Sequence, residues 1–271
     1  MEFFKITSLK NDKVKQAVKL RGRRARETRK LTLLEGYREL TRSFEYGMTL
    51  VECFFCPEMF LGVNESALLQ KLAAGGVKVY EVTKPILEKL AYRERPEGLI
   101  ATAKIKNHSL EKLAFREQGC YLLAEAIEKP GNLGSILRSA DAAGVDALIL
   151  CDKGTDIYNP NVIRASTGAL FTVPLAVCSS EEALQWLRQH RVKILAATPH
   201  TSDIYTDVDL TQSVAIAVGT EQTGLSDFWM NSADLQVKIP MLGKIDSLNV
   251  ATATTILLYE AARQRSWQSG G

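Results

Sequence analysis

Ile239-Pro-Met-Leu-Gly243-Lys-Ile-Asp-Ser247-Leu-Asn249-Val-Ala-Thr-Ala-Thr254 leads from the end of an apolar, strand-like run into a long, mostly apolar helical segment. Pro240 has no N–H to give to a ladder, Gly243 permits a turn, and Ser247 and Asn249 open the helix. Backbone amides and two neutral hydrogen-bonding side chains therefore surround one small space. Either Ser247 caps the helix while Asn249 bonds to its own backbone, or the pair lines a binding site. The helix runs from Ser247 to about Arg265 and is apolar nearly all round, so it should be buried in the core or against a second subunit.

Upstream, Tyr121–Ile127, Ala147–Cys151, Thr172–Val177, Lys193–Ala197, Val214–Gly219 and Leu235–Ile239 are short apolar runs separated mostly by helix-sized segments. This alternation predicts a parallel sheet covered on both faces. Asn159-Pro160 opens one helix, and Ser179-x-x-Glu182 is a capping box opening another. Parallel sheets place ligands at the carboxyl ends of their strands, and two more polar segments fall there. After the first strand comes Glu128-Lys-Pro-Gly131-Asn132-Leu-Gly134-Ser-Ile-Leu-Arg138. Its glycines allow close approach, and an arginine suits a phosphate or carboxylate, or a surface salt bridge. After a later strand comes Gly219-Thr-Glu221-Gln-Thr-Gly224-Leu225, where two glycines bracket a carboxylate. Neither the phosphate-cradling Gly-x-x-x-x-Gly-Lys-Ser/Thr pattern nor a Gly-x-Gly-x-x-Gly fingerprint follows any strand, which disfavours an ordinary dehydrogenase.

The first hundred residues read as a separate α/β unit. Residues 12–30 form one basic helix with Val14 and Val18 on its sparse apolar side. Leu31–Gly36, Leu50–Cys56, Val77–Val82 and Gly98–Ala103 are strands, and Tyr37–Tyr46, 65–74 and Pro85–Ala91 are helices. The polar stretch 105–118 serves as linker to a second domain at 119–271. Residues 5–30 hold eleven Lys or Arg against Asp12 and Glu27, a local charge of +9 in a chain whose net charge is only +3. Arg21, Arg23, Arg24 and Arg26 are candidates for phosphate contacts, the alternative being a solvated helix face. With no aromatic residue between Phe4 and Tyr37, base stacking is not expected of this segment.

The five cysteines are odd in number and scattered, as expected for reduced thiols. Cys53-x-x-Cys56 lacks the second pair a zinc site needs, and the three histidines stand far apart, so no metal is expected. No apolar run reaches the roughly 18 residues of a membrane span and no signal peptide is recognisable, so a soluble, cytoplasmic protein is expected.

Taken together, Asn132-x-Gly-x-x-x-Arg138, Gly219-x-Glu-x-x-Gly-Leu and Ile239-Pro-Met-x-Gly-x-x-x-Ser-Leu-Asn-Val-Ala resemble the three signature motifs of the SpoU/TrmH branch of the SPOUT superfamily, RNA ribose 2′-O-methyltransferases. The resemblance covers roughly residues 121–265. A weaker one, carried by Ile6-x-Ser8, Leu-Leu-Glu35-Gly36 and Pro96-x-Gly98, links the N-terminal unit to an L30e-like substrate-binding domain. The resemblance implies an S-adenosylmethionine-dependent enzyme whose parallel-sheet domain carries a C-terminal trefoil knot, and a homodimer in which the first motif's arginine completes the partner's site. By position, Gly219, Ile239 and Leu248, with Thr198 and Met241 nearby, would hold the cofactor. Asn132, Arg138, Glu221, Ser247 and Asn249 would form the catalytic and ribose-binding set. Two positions depart from the usual motifs: Ala143 stands where phenylalanine is common, and Gln222 where glycine is common. An L30e-like front domain favours ribosomal over transfer RNA as substrate, and a non-catalytic RNA-binding protein of the same fold is the alternative from another class.

Overall fold

The computed structural model describes residues 3–152 and 154–266. The chain forms two compact units. The first comprises Met1–Asn107 with Asp156–Thr172, and the second His108–Thr155 with Val173–Gly271.

The first unit is built on a mixed five-stranded sheet. In chain order it contains β1 (Phe4–Ile6), α1 (Asp12–Lys19), α2 (Arg23–Arg29), β2 (Leu31–Glu35), α3 (Tyr37–Glu45), β3 (Leu50–Phe55), α4 (Glu65–Ala74), β4 (Lys78–Val82), α5 (Lys84–Leu90) and β5 (Leu99–Lys104). The spatial order is β1-β4-β3-β5-β2, with β5 antiparallel to both neighbours. β1 is too short to give an alternation signal. One face packs Val14, Ala17, Leu20, Phe54, Ile86, Leu87 and Ile100 into a core.

The basic segment is two helices rather than the single one its composition suggests. Gly22 is extended (φ −85°, ψ 134°) and starts α2, while Leu20, 1% exposed, anchors the end of α1 in the core. A glycine at this point weakens continuation of the helix. The break lets Arg26 turn inward. Its guanidinium is 3% exposed and donates to Leu20 O (3.0 Å), Arg21 O (2.7 Å) and, through Nη2, Asp156 Oδ2 (2.6 Å). Removing one partner of such a pair leaves a charge poorly compensated. Arg26→Ala is expected to destabilise the unit by about 2–3 kcal/mol, read as a lowered denaturant midpoint. A midpoint unchanged from wild type would show the ion pair to be dispensable.

The second unit holds six strands in the order β11-β9-β10-β6-β7-β8, every neighbour parallel. These are β6 (Cys120–Glu125), β7 (Ala147–Cys151), β8 (Leu175–Cys178), β9 (Lys193–Ala197), β10 (Val214–Val218) and β11 (Leu235–Val237). The helices are α6 (Pro130–Ala143), α9 (Ser180–Gln189), α10 (Asp227–Ser232) and α11 (Val250–Ser266). The short α7 (Pro160–Ser166) and α8 (Ala169–Thr172) belong to the first unit. Every residue of β6, β7 and β10 is buried, which is why these strands read as unbroken apolar runs. The capping box at Ser179 and Glu182 forms as its spacing predicts. Asp152, with φ +60°, turns the chain after β7 and accepts from Ser180 Oγ (2.6 Å), which accepts in turn from the buried Trp229 Nε1 (2.8 Å).

Three expectations shift in detail. Residues 169–172 are helical, so β8 starts at Leu175 rather than Thr172. The stretch expected as linker belongs to the second unit from His108 on, since Val177 N donates to His108 O (2.7 Å) and Leu110 and Leu113 pack on the second core. The last helix begins at Val250, because Asn249 rather than Ser247 caps it, its Oδ1 accepting from Ala251 N at 3.0 Å. That helix buries Leu257, Leu258 and Ala261 but leaves Tyr259 51% exposed, so it is not enclosed all round.

Candidate active site

The carboxyl ends of β9, β10 and β11 open into a cleft of about 660 Å³. Thr198, Gly219, Ile239, Met241 and Leu248 all line it, as does Ser247. Thr198 closes the end of β9, its N–H bonded to Val237 O (2.9 Å). Past β10, Thr220 and Gly224 exchange two backbone hydrogen bonds (3.0 and 3.1 Å), folding the loop into a tight hairpin. Gly224 makes this turn with φ +70°. Gly219 is required for a different reason: a Cβ there would overlap the backbone of Gly224 and Leu225. The base of the hairpin is tied down where Glu125, buried at the end of β6, accepts from Ser226 N at 2.8 Å.

At the rim three distant segments meet. Asn249 Nδ2 donates to Asn132 Oδ1 (3.2 Å) and to Glu221 Oε1, while its Oδ1 caps α11. Asn249 thus bonds to nearby backbone through one side-chain atom and to two distant side chains through the other. Lys129 forms an ion pair with Glu221 Oε2. Lys129 was not among the sequence candidates although it lies inside the first motif; its signal was a single positive charge beside a turn. Hydrogen bonding from Lys129, and then from Asn132, holds the Glu221 carboxyl below its usual pKa, so it is ionised at neutral pH and acts as an acceptor. Ser247 is exposed in the loop before α11 and Arg138 is exposed on α6, outside this hydrogen-bonded cluster.

Of the four N-terminal arginines, Arg23 and Arg24 are exposed, Arg23 in an i,i+4 pair with Glu27 (2.7 Å). Arg26 is buried, and Arg21 donates to Lys89 O (2.6 Å) and to Ala91 O, so these two hold the unit together. All five cysteines are free thiols and four are buried. Burial pushes Cys53 up to about 12, so Cys53-x-x-Cys56 is a pair of core thiols without the thiolate that redox chemistry needs. Among the described residues no group of three or more His, Cys, Asp or Glu gathers that could hold a metal ion, and no helix is long and apolar enough to cross a membrane.

A parallel sheet with a cleft at its carboxyl edge, lined by loop backbone, apolar side chains and carboxylates that include Glu221, defines an α/β enzyme that takes a nucleoside-like cofactor. A model described as the SpoU rRNA Methylase family matches residues 119–259, and one described as the MRM3-like substrate binding domain matches 11–101. The chain belongs to the SpoU rRNA methylase family. It is 32% identical over 268 residues to the 23S rRNA (uridine(2479)-2′-O)-methyltransferase of Streptomyces viridochromogenes, covering 96% of this chain and 92% of that one. Among solved structures, the AdoMet-bound rRNA methyltransferase of Sinorhizobium meliloti superposes with a TM-score of 0.87 at 29% identity, covering 96% of this chain and 97% of that one. A structure described for 2-OH methylation of C/U34 on tRNA matches only 54% of this chain, with 97% of its own length covered, a TM-score of 0.50 and 26% identity.

Proposed function

We propose that the protein is an S-adenosylmethionine-dependent ribose 2′-O-methyltransferase acting on ribosomal RNA, with large-subunit RNA as substrate. The observation that carries this reading is the convergence of Asn132, Glu221 and Asn249 on the rim of a cleft lined by Gly219, Ile239 and Leu248. The cleft fits the cofactor chemically: Val218, Leu225, Val237 and Leu248 offer apolar walls for an adenine ring, and loop backbone lies at the edge. When bound, S-adenosylmethionine supplies an electrophilic methyl group. The residues around it have the task of aligning a ribose hydroxyl and easing its deprotonation. Asn132 and Asn249 offer neutral hydrogen bonds to the ribose, and Glu221 fixes both amides. Arg138 offers a planar, cationic fork of donors, so it serves to hold the target phosphate and lowers the cost of the forming alkoxide, the proton leaving to a phosphate oxygen or water.

Ribosomal RNA is favoured over transfer RNA because the ribosomal relatives match this chain along its whole length, whereas the transfer-RNA neighbour matches about half. In the first unit Arg23 and Arg24 remain available to phosphates. Two further readings follow from the family. The chain beyond β11 passes through the 198–213 loop as a trefoil knot; supporting this, Lys238 N donates to Asp203 O (2.9 Å), and Gln264 bonds to Val208 O (3.1 Å) and Leu210 N (2.8 Å). The protein is a cytoplasmic homodimer, for which the exposed Tyr259 beside Ala142, Ala143 and Ile256 supplies an apolar strip.

Labelled methyl from S-adenosylmethionine is expected to enter unmodified 23S RNA in an alkali-resistant linkage and to leave transfer RNA unlabelled. Label in transfer RNA alone would move the function to that substrate. RNA binding with no transfer to either would leave a non-catalytic binding protein.

A further inference from the structure

The first unit contains a cavity of about 540 Å³ whose lining includes Tyr37, Arg38, Glu39, Glu65, Arg93 and Arg164. Its floor is a fixed charge cluster. Arg93 donates to Glu39 Oε1 (2.8 Å) and Glu35 O (3.2 Å) and pairs with Glu97, while Glu35 Oε2 accepts from Tyr92 N (2.8 Å) and Arg93 N (3.2 Å). Gly36, with φ +105°, makes this possible, since a Cβ there would stand 2.8 Å from Glu39 Oε2 and 3.1 Å from Glu97 Oε2. The Glu35-Gly36 segment thus serves to hold Arg93 and Glu39 in place.

Glu65 is different. It is 4% exposed, its Oε1 accepts from Gly62 N (2.8 Å), and its buried Oε2 has no hydrogen-bond partner among the described residues. A buried carboxylate oxygen without a donor is costly and uncommon. At the rim Arg38 and Arg164 are exposed cations, and Tyr37 is a half-buried ring.

The cavity therefore lacks a donor for Glu65, an anion for the two rim arginines and a flat group for Tyr37. A nucleotide supplies all three. Among the bases, guanine alone presents adjacent N1–H and N2–H donors on its Watson–Crick edge, the pattern a carboxylate accepts; adenine and cytosine place an acceptor there, and uracil flanks its single donor with carbonyls. A peptide guanidinium would also satisfy Glu65, but it would leave the exposed Arg38 and Arg164 at the rim without an anion. We propose that this cavity binds an unpaired guanine of the RNA substrate, Glu65 reading its Watson–Crick edge and Arg38 and Arg164 holding the flanking phosphates. The inference rests on the reading of the chain as an RNA enzyme.

The test uses the full chain and ten-nucleotide oligouridylates carrying one central guanosine, inosine or adenosine, with binding followed by fluorescence anisotropy. Wild type is expected to favour guanosine over adenosine by about tenfold or more, the order expected of a bidentate base contact, with inosine, which lacks the N2 amine, between them. Glu65→Gln should remove the preference while leaving the melting temperature and cofactor affinity unchanged. Arg38→Ala with Arg164→Ala should weaken all three RNAs alike. Equal binding of the three by wild type, or a preference that survives in Glu65→Gln, overturns the proposal. So does free guanosine 5′-monophosphate binding as tightly as the RNA, since the cavity would then serve a mononucleotide. Methyl transfer to 23S RNA, measured on the same samples, tests the enzymatic reading separately: its absence beside an intact guanine preference would remove only that reading.

Discussion

Arg138→Ala is expected to lower the turnover number for methyl transfer by roughly 10²–10³-fold, the range seen when one charge-stabilising donor is removed from a transition state. The side chain is exposed on α6 and stands outside the Asn132–Glu221–Asn249 cluster, so its loss should leave melting temperature and cofactor affinity as in wild type. Arg138→Lys keeps the charge but not the planar fork, and should recover only a small part of the rate. Near-normal turnover in the lysine variant would mean that charge alone suffices and would sink the bidentate role. The family resemblance implies that Arg138 completes the partner's site, and on that reading mixing Arg138→Ala protomers with Asn249→Ala protomers should restore activity. Random pairing gives half heterodimers, each with one intact site of two, so about a quarter of wild-type activity is expected. Mixtures as inactive as the parents would place Arg138 in its own subunit's site.

Gly219→Ala should have the second large effect, on cofactor binding. The added methyl group meets the backbone of Gly224 and Leu225, which cannot move aside as a side chain would. The paired Thr220–Gly224 hydrogen bonds must open or the end of β10 must shift. A cost of about 3 kcal/mol, at the upper end for an overpacked site, corresponds to roughly a hundredfold loss of affinity for S-adenosylmethionine, measurable by calorimetry. Gly224→Ala is the matched control. Nothing stands within 4 Å of a Cβ there, so only the strain of its φ of +70° applies, about 1 kcal/mol. Equal affinities in the two variants would show that the hairpin's close packing does not shape the cleft.

The second unit was the more legible in sequence. Strands buried on both faces leave continuous apolar runs, and glycines and amides stand out at their carboxyl ends. The basic segment was less so. Eleven cations spread over residues 5–30 look alike in sequence, yet Arg26 is an interior group whose partner, Asp156, is 130 residues away. No local pattern encodes such a pairing. Lys129 was overlooked for a similar reason, since its meaning depends on Glu221 from a distant loop. Glu65 reads in sequence as an ordinary first-turn helix acid; only its burial with one oxygen left over sets it apart. Asn249 shows why a cap and a long-range side-chain bridge cannot be separated from sequence when the two ends of one amide do both.

The passage of residues 156–172 into the first unit bears on modularity. Asp156 neutralises Arg26, Tyr158 Oη accepts from Lys106 N (3.1 Å), and Thr167 O receives Arg42 Nη1 (3.0 Å). A recombination event that carried residues 1–107 alone onto another body would strip Arg26 of its counter-ion and remove these partners of Lys106 and Arg42, and the transplanted unit would be short of two helices. Moving this unit intact therefore requires 1–107 and 156–172 to travel together. A unit assembled from two separated stretches of chain is open to change by point substitution but closed to exchange at a single junction.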